Sequence, residues 1–258
     1  YRPMERRGPL PALLYLHGGG FRILSKESHW VMALAFARRG LVVFNANYRL
    51  GPRHLYPAAH QDACAALEWV SNNAGAYGAD PNRLLIAGES AGANLTAALT
   101  LACCFKRPEP WACRVFDLGI SPLAALPACG MFQLSDPSRF WRQRPMSVWL
   151  RDRLKEPAMA YLGQADPAVP SGLADPLLLL ESDQTPERPL PPFFAPVGTK
   201  DPLLPDTRRL KAALDRRGVP CQARYYPGEI HAFHALVWRK NARRCWRDTY
   251  RFLDEVLQ

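Results

Sequence analysis

The sequence predicts an α/β domain built on a mostly parallel central sheet flanked by helices, and three observations lead there. Short apolar runs of strand length alternate with stretches of helical spacing along most of the chain. That order of strand, helix and strand implies parallel pairing through right-handed crossovers. With 258 residues, 48% of them hydrophobic, the chain can bury one large core, and residues 1–258 are read as a single domain.

Leu13-Leu14-Tyr15-Leu16 reads as a buried strand ending in His17-Gly18-Gly19-Gly20-Phe21. Three consecutive glycines let backbone N–H groups turn into a cavity, as an anion site demands; a plain turn is the alternative. Residues 28–39, closed by Gly40, have helical spacing, and Leu41-Val42-Val43-Phe44 reads as the next strand. A loop, Asn47-Tyr48-Arg49-Leu50-Gly51-Pro52, precedes a helix from about residue 57 to 70. Asp80-Pro81-Asn82-Arg83 reads as a turn delivering the chain into the strand Leu84-Leu85-Ile86-Ala87.

That strand runs into Gly88-Glu89-Ser90-Ala91-Gly92, and an Ala- and Leu-rich helix follows over residues 93–103. A serine between two glycines, entered from a strand and left by a helix, is the pattern of a nucleophile elbow, a turn so tight that both glycines must lack side chains. An N-cap serine after a glycine gives the same letters, so neighbouring motifs decide between the two.

Residues 114–120 read as a further strand. Residues 126–170 break the alternation with Trp, Met, Arg, Pro and short helical stretches over 147–162, and read as a lid-like insertion. Its Met131, Phe132, Phe140, Trp141, Met146, Trp149 and Met159 are expected in packing rather than against substrate. Regularity returns with a strand over 192–198, the loop Thr199-Lys200-Asp201-Pro202-Leu203, a helix over 205–217 and a last strand over 220–226. The loop Pro227-Gly228-Glu229-Ile230-His231-Ala232-Phe233-His234 leads into a basic terminal helix.

The net charge of +10 comes largely from arginine. Arg239, Lys240, Arg243, Arg244 and Arg247 fall on one side of that helix, opposite Trp238, Ala242, Cys245 and Trp246, which favours a solvated face over a nucleic-acid or membrane contact. Uninterrupted apolar runs of eighteen residues are absent, so no membrane insertion is expected. Seven cysteines without ligand-like spacing, several inside apolar runs, read as reduced thiols of a cytoplasmic protein, with no metal site and no cofactor.

A serine hydroxyl needs a base to take its proton and a third group to orient that base. Ligands in alternating sheets gather beyond the carboxyl ends of strands, which favours His231 as base over its rival His234. His29 falls in a predicted helix, and His54 and His60 flank a helix start with no strand feeding them. Asp201, directly after a strand, is the natural orienting carboxylate; Asp206 reads as a capping or dipole charge at the next helix start.

Ser, Asp, His in that order is the order of α/β-hydrolases. The chain resembles the hormone-sensitive lipase family of that fold, the bacterial family IV esterases, in His17-Gly18-Gly19-Gly20-Phe21; Asn47-Tyr48-Arg49-Leu50 with Pro57-Ala58-Ala59 and Asp62; Gly88-Glu89-Ser90-Ala91-Gly92; Asp201-Pro202-Leu203; and His231-Ala232-Phe233. These blocks follow the family's order and cover nearly the whole chain. The resemblance implies an α/β-hydrolase fold, with Ser90 as nucleophile, His231 as base and then acid, and Asp201 as orienter. It further implies an oxyanion hole from the N–H groups of Gly18, Gly19 and Ala91, with His17 holding the glycine loop. The implied activity is a cofactor-free carboxylesterase acting on a small-molecule, short-acyl ester. A deacetylase or amidase on a larger acylated substrate and a non-catalytic small-molecule receptor are the alternatives, and a homodimer is left open. Two departures stand out: Glu89 occupies a position where many relatives carry Asp, and the chain opens just before the strand leading to His17. The second leads to the expectation of a fragment or a reduced lid, with an open acyl pocket.

Overall fold

A computed structural model describes residues 1–4, 8–143, 145–163 and 172–258. Its strands are β1 (Leu10–Leu16), β2 (Val42–Ala46), β3 (Ala79–Glu89), β4 (Ala124–Ala128), β5 (Phe193–Gly198) and β6 (Cys221–Tyr226). They form one parallel sheet in the order β2-β1-β3-β4-β5-β6. Parallel strands need crossovers, and these are supplied by helices on both faces: α1 (Trp30–Arg38), α2 (Ala58–Asn73), α3 (Ala91–Cys104), α4 (Pro110–Asp117), α5 (Arg139–Gln143), α6 (Val148–Leu162), α7 (Pro176–Glu181), α8 (Leu204–Arg216) and α9 (Lys240–Leu257).

Cover on both faces explains why β1 is buried at every position. Leu14, Leu16, Ile86 and Phe193 pack with Leu67 of α2, Leu95 of α3 and Leu210 of α8. Their strand neighbours Leu13, Tyr15, Leu85 and Phe194 point the other way, onto Phe36 of α1 and Phe252 and Leu253 of α9. Each such fully buried side chain contributes roughly 1.5–3 kcal/mol. The edge strand β6, half-buried or exposed at every position but its last, is correspondingly more polar.

Three expectations need correction. Residues 114–120 are not a strand: Pro110 starts α4 in the first turn, where its missing N–H costs nothing, and Trp111, Ala112 and Val115 bury one helical face. The strand lies later, in β4, whose first pairs are Leu85↔Ala124 and Ile86↔Ala125. The lid-like insertion therefore does not begin at residue 126, which is inside β4; its residues 144 and 164–170 lie outside the described residues. Finally, Asp80-Pro81-Asn82-Arg83 is a bulge within β3, where pairing steps from Pro11↔Asp80 to Ala12↔Leu84.

The terminal helix α9 is amphipathic as expected, burying Ala242, Cys245, Thr249, Phe252 and Leu253 while Lys240, Arg243, Arg244 and Arg247 are exposed. Trp238, expected on the apolar side, precedes the helix and is exposed. All seven cysteines are free, and no described helix is long and apolar enough to cross a membrane.

Candidate active site

The carboxyl ends of β1, β3, β5 and β6 deliver the chemistry-bearing loops to one edge of the sheet. Ser90 sits between β3 and α3 at φ 54° and ψ −114°, a backbone strain of about 1–3 kcal/mol for a residue with a Cβ. The surroundings force it. A Cβ on Gly92 would stand 2.0 Å from the Leu16 carbonyl oxygen, and one on Gly88 2.5 Å from that of Gly92. The Ser90 N–H donates to the carbonyl of Ala128 at the end of β4, 2.9 Å away, which pins the turn to the sheet.

Ser90 Oγ lies 3.0 Å from His231 Nε2, and His231 Nδ1 lies 2.9 Å from Asp201 Oδ2. Because a carboxylate only accepts, Nδ1 carries the proton toward Asp201 and Nε2 is left to accept from the serine hydroxyl. Asp201 is buried just beyond β5, and its Oδ1 accepts the Leu203 N–H at 2.8 Å, which fixes the carboxylate. His231 lies in the loop after β6. Beyond it, Phe233 is buried against Tyr226, ring centroids 4.9 Å apart, and anchors the loop.

Four of the other five histidines, His17, His29, His60 and His234, are committed elsewhere. His234 Nε2 lies 2.7 Å from Glu89 Oε2, and His29 Nε2 lies 2.9 Å from Glu89 Oε1. His60 is buried beside Tyr161, whose hydroxyl is 2.8 Å from Nδ1, and desolvation pulls its pKa down to about 3, so it stays neutral. His17 Nδ1 contacts the Gly18 carbonyl at 2.7 Å, and its ring stacks on Tyr48 at 4.2 Å, tying down the start of the glycine loop.

One expected role does not fit this geometry. The Gly18 N–H points at His29 Nε2, 3.2 Å away, so it is turned into the protein and away from the site. The loop glycines lining the cleft beside Ser90 and Ala91 are Gly19 and Gly20. Asp206, expected as a capping or dipole charge at a helix start, lies in the first turn of α8 and is fully buried there, with its carboxylate occupied by Arg139 and by the Phe132 N–H at 2.8 Å.

The cleft over Ser90 holds about 460 Å³ and is lined mainly by apolar side chains, among them Leu24, Met131, Leu134, Leu154 and Leu203. Met131 and Trp149 therefore face the cleft, whereas Phe132 and Phe140 are buried in the core. Arg153 is the cleft's cationic side chain, and it pairs with Glu156 at 3.2 Å.

Cys129, buried at the end of β4, brings its sulfur near the Asp201–His231 pair, with ligand-type atoms of all three within 4.8 Å of one another. Burial pushes the Cys129 thiol up, so it is neutral at pH 7. For His231, burial opposes protonation, but contacts with the Cys129 sulfur and the Asp201 carboxylate outweigh it and raise the imidazole pKa well above 6.5. Since the thiol is neutral, the Asp201 carboxylate supplies the charge behind that rise.

Residues 13–235 match a family model described as the alpha/beta hydrolase fold. The chain is 31% identical over 234 residues to Carboxylesterase NlhH of Mycobacterium tuberculosis, spanning 90% of this chain and 69% of that protein. It is 31% identical over 225 residues to an acetyl esterase of Salmonella paratyphi B, spanning 86% of this chain and 64% of that protein. Among solved structures, a bacterial heroin esterase superposes with a TM-score of 0.83 at 25% identity, covering 100% of this chain and 78% of that one. An esterase from the bacterial hormone-sensitive lipase family superposes at 0.77 with 26% identity, covering 100% and 80%.

Proposed function

The chain belongs to the α/β-hydrolase fold family, among the esterases related to hormone-sensitive lipase, and from that premise we propose that it is a serine carboxylesterase in which Ser90, His231 and Asp201 form the catalytic triad. The observation that carries this reading is the pair of contacts at 3.0 and 2.9 Å linking the serine hydroxyl, imidazole and carboxylate. In the reaction, Ser90 Oγ attacks the ester carbonyl while His231 Nε2 takes the hydroxyl proton, and Asp201 stabilises the imidazolium. The negative charge that develops on the carbonyl oxygen falls to the N–H groups of Gly19, Gly20 and Ala91, with the first turn of α3 behind them. A single well-placed donor of this kind is worth about 2.7–4 kcal/mol. His231 then protonates the departing alcohol, and a water molecule activated by the same imidazole hydrolyses the acyl-Ser90 ester.

The apolar cleft of about 460 Å³ suits an acyl chain without charge, and the acetyl esterase among the relatives supports a short one. The test is hydrolysis of p-nitrophenyl esters of increasing acyl length by the parent, Ser90→Ala and His231→Ala. The parent is expected to prefer acetate or butyrate, and each variant to lose about 10⁴-fold or more in kcat. Retention of most of the rate by Ser90→Ala, or a steady rise toward long acyl chains with interfacial activation, would contradict the reading.

A further inference from the structure

Glu89, the residue immediately before Ser90, takes no part in the triad contacts. Its carboxylate is buried, with Oε1 at 2.9 Å from His29 Nε2 and Oε2 at 2.7 Å from His234 Nε2. Burial works to raise its pKa, and the two histidines outweigh that and hold it below the ordinary carboxylate range, so it is ionised. Burial likewise opposes protonation of His29, and the bond to Glu89 outweighs it and raises the imidazole pKa.

Each histidine belongs to a different element behind the site. His29 caps α1, its Nδ1 lying 2.9 Å from Ser28 Oγ and 3.2 Å from the Ser25 carbonyl. Its Nε2 also lies 3.2 Å from the backbone nitrogen of Gly18, the residue before the glycines that line the cleft. Gly18 in turn rests on Glu89, so closely that an added Cβ would stand 3.1 Å from Oε1. His234 lies three residues past His231 in a short 3-10 turn, and its carbonyl accepts the Trp246 Nε1–H of α9 at 3.1 Å.

We propose that Glu89 is a positioning residue that locks the glycine loop and the His231 loop onto the Ser90 elbow through His29 and His234. The nucleophile, the oxyanion donors and the base come from three separate loops, and one buried carboxylate holds all three in register. An aspartate at this position would be about 1.5 Å shorter and would not span both histidines in this arrangement. This inference rests on the assignment of Ser90 as nucleophile.

The test compares the parent with Glu89→Asp, which keeps charge and loses reach, and Glu89→Gln, which keeps reach and loses charge. His29→Gln and His234→Gln cut one tie each. For every variant kcat and KM are measured on p-nitrophenyl butyrate, active sites are counted by titration, and affinity is measured for a trifluoromethyl ketone that mimics the tetrahedral intermediate. Per active site, both Glu89 variants are expected to lose about 10- to 100-fold in kcat with KM little changed, and to lose affinity for the ketone in parallel. The histidine variants are expected to show the same split with smaller losses. If the Glu89 variants do not fold, the histidine variants carry the test. The inference is overturned if folded variants keep kcat and ketone affinity within about twofold of the parent while only the unfolding temperature moves, because a merely structural contact would do that. Ser90→Ala, run alongside, separates the two levels. An active Ser90→Ala defeats the nucleophile assignment, whereas an inert one with kinetically unchanged Glu89 and histidine variants defeats only the role given to Glu89.

Discussion

At His231 the direction of the pKa shift fixes the shape of the pH profile. The imidazole must be neutral to take the serine proton, and its pKa is raised above 6.5, the Asp201 carboxylate outweighing the burial that opposes protonation. The neutral fraction, and with it kcat/KM, therefore falls as pH drops through a midpoint above 6.5 rather than at the value of a free imidazole. A kcat/KM profile between pH 5 and 9 checks this, and a midpoint at or below 6.5 would contradict it. Asp201→Asn removes the charge that raises the pKa and should move the acid limb downward while lowering the plateau. At Gly92 the expected effect is on stability, since a methyl group there has 2.0 Å to the Leu16 oxygen. Gly92→Ala should cost about 1–3 kcal/mol or more in urea unfolding, because the atom it meets is backbone that cannot swing away. Single residues were partly legible in the sequence. Ser90, Asp201 and His231 stand out because each follows a strand-length segment. That the Gly18 N–H turns away from the cleft was not, because that depends on His29, eleven residues away, lying against it.

At the scale of elements, the stretch after β4 is held over the cleft by a buried ion pair. Arg139 donates to both oxygens of Asp206, at 3.0 and 2.5 Å, and Asp206 also takes the Phe132 N–H. Removing one partner of such a pair strands the other charge, so Arg139→Ala should destabilise the protein by about 3–5 kcal/mol in denaturant unfolding; a loss under about 1 kcal/mol would show that Asp206 finds another partner. On α6, Trp149 and Leu154 face the cleft. Trp149→Ala should enlarge it and raise the relative rate on longer acyl chains, measured across p-nitrophenyl acetate to decanoate. An unchanged chain-length profile would place the acyl group elsewhere. Elements were read correctly where apolar runs and glycine stops agree, as at β1 and α1. They were misread at α4, where Val115 and Phe116 carry strand propensity although tertiary packing makes a helix, and at β4, where Ala124-Ala125-Leu126-Pro127-Ala128 carries little.

For the whole molecule, the parallel sheet does what no local pattern can. It brings Ser90, Asp201 and His231, separated by up to 141 positions, within hydrogen-bond distance. The order of the motifs along the chain made this arrangement legible, since an alternating chain with its reactive residues after strands gathers them at one sheet edge. The ties behind the site were not legible, because Glu89, His29 and His234 are ordinary polar letters until folding buries them together. The most direct test of the whole account is to treat the protein with diisopropyl fluorophosphate, follow the loss of esterase activity, and map the adduct by peptide mass spectrometry. Inactivation in step with one phosphoryl group on Ser90 is the predicted result. An adduct on another residue, or full activity with Ser90 modified, would contradict it.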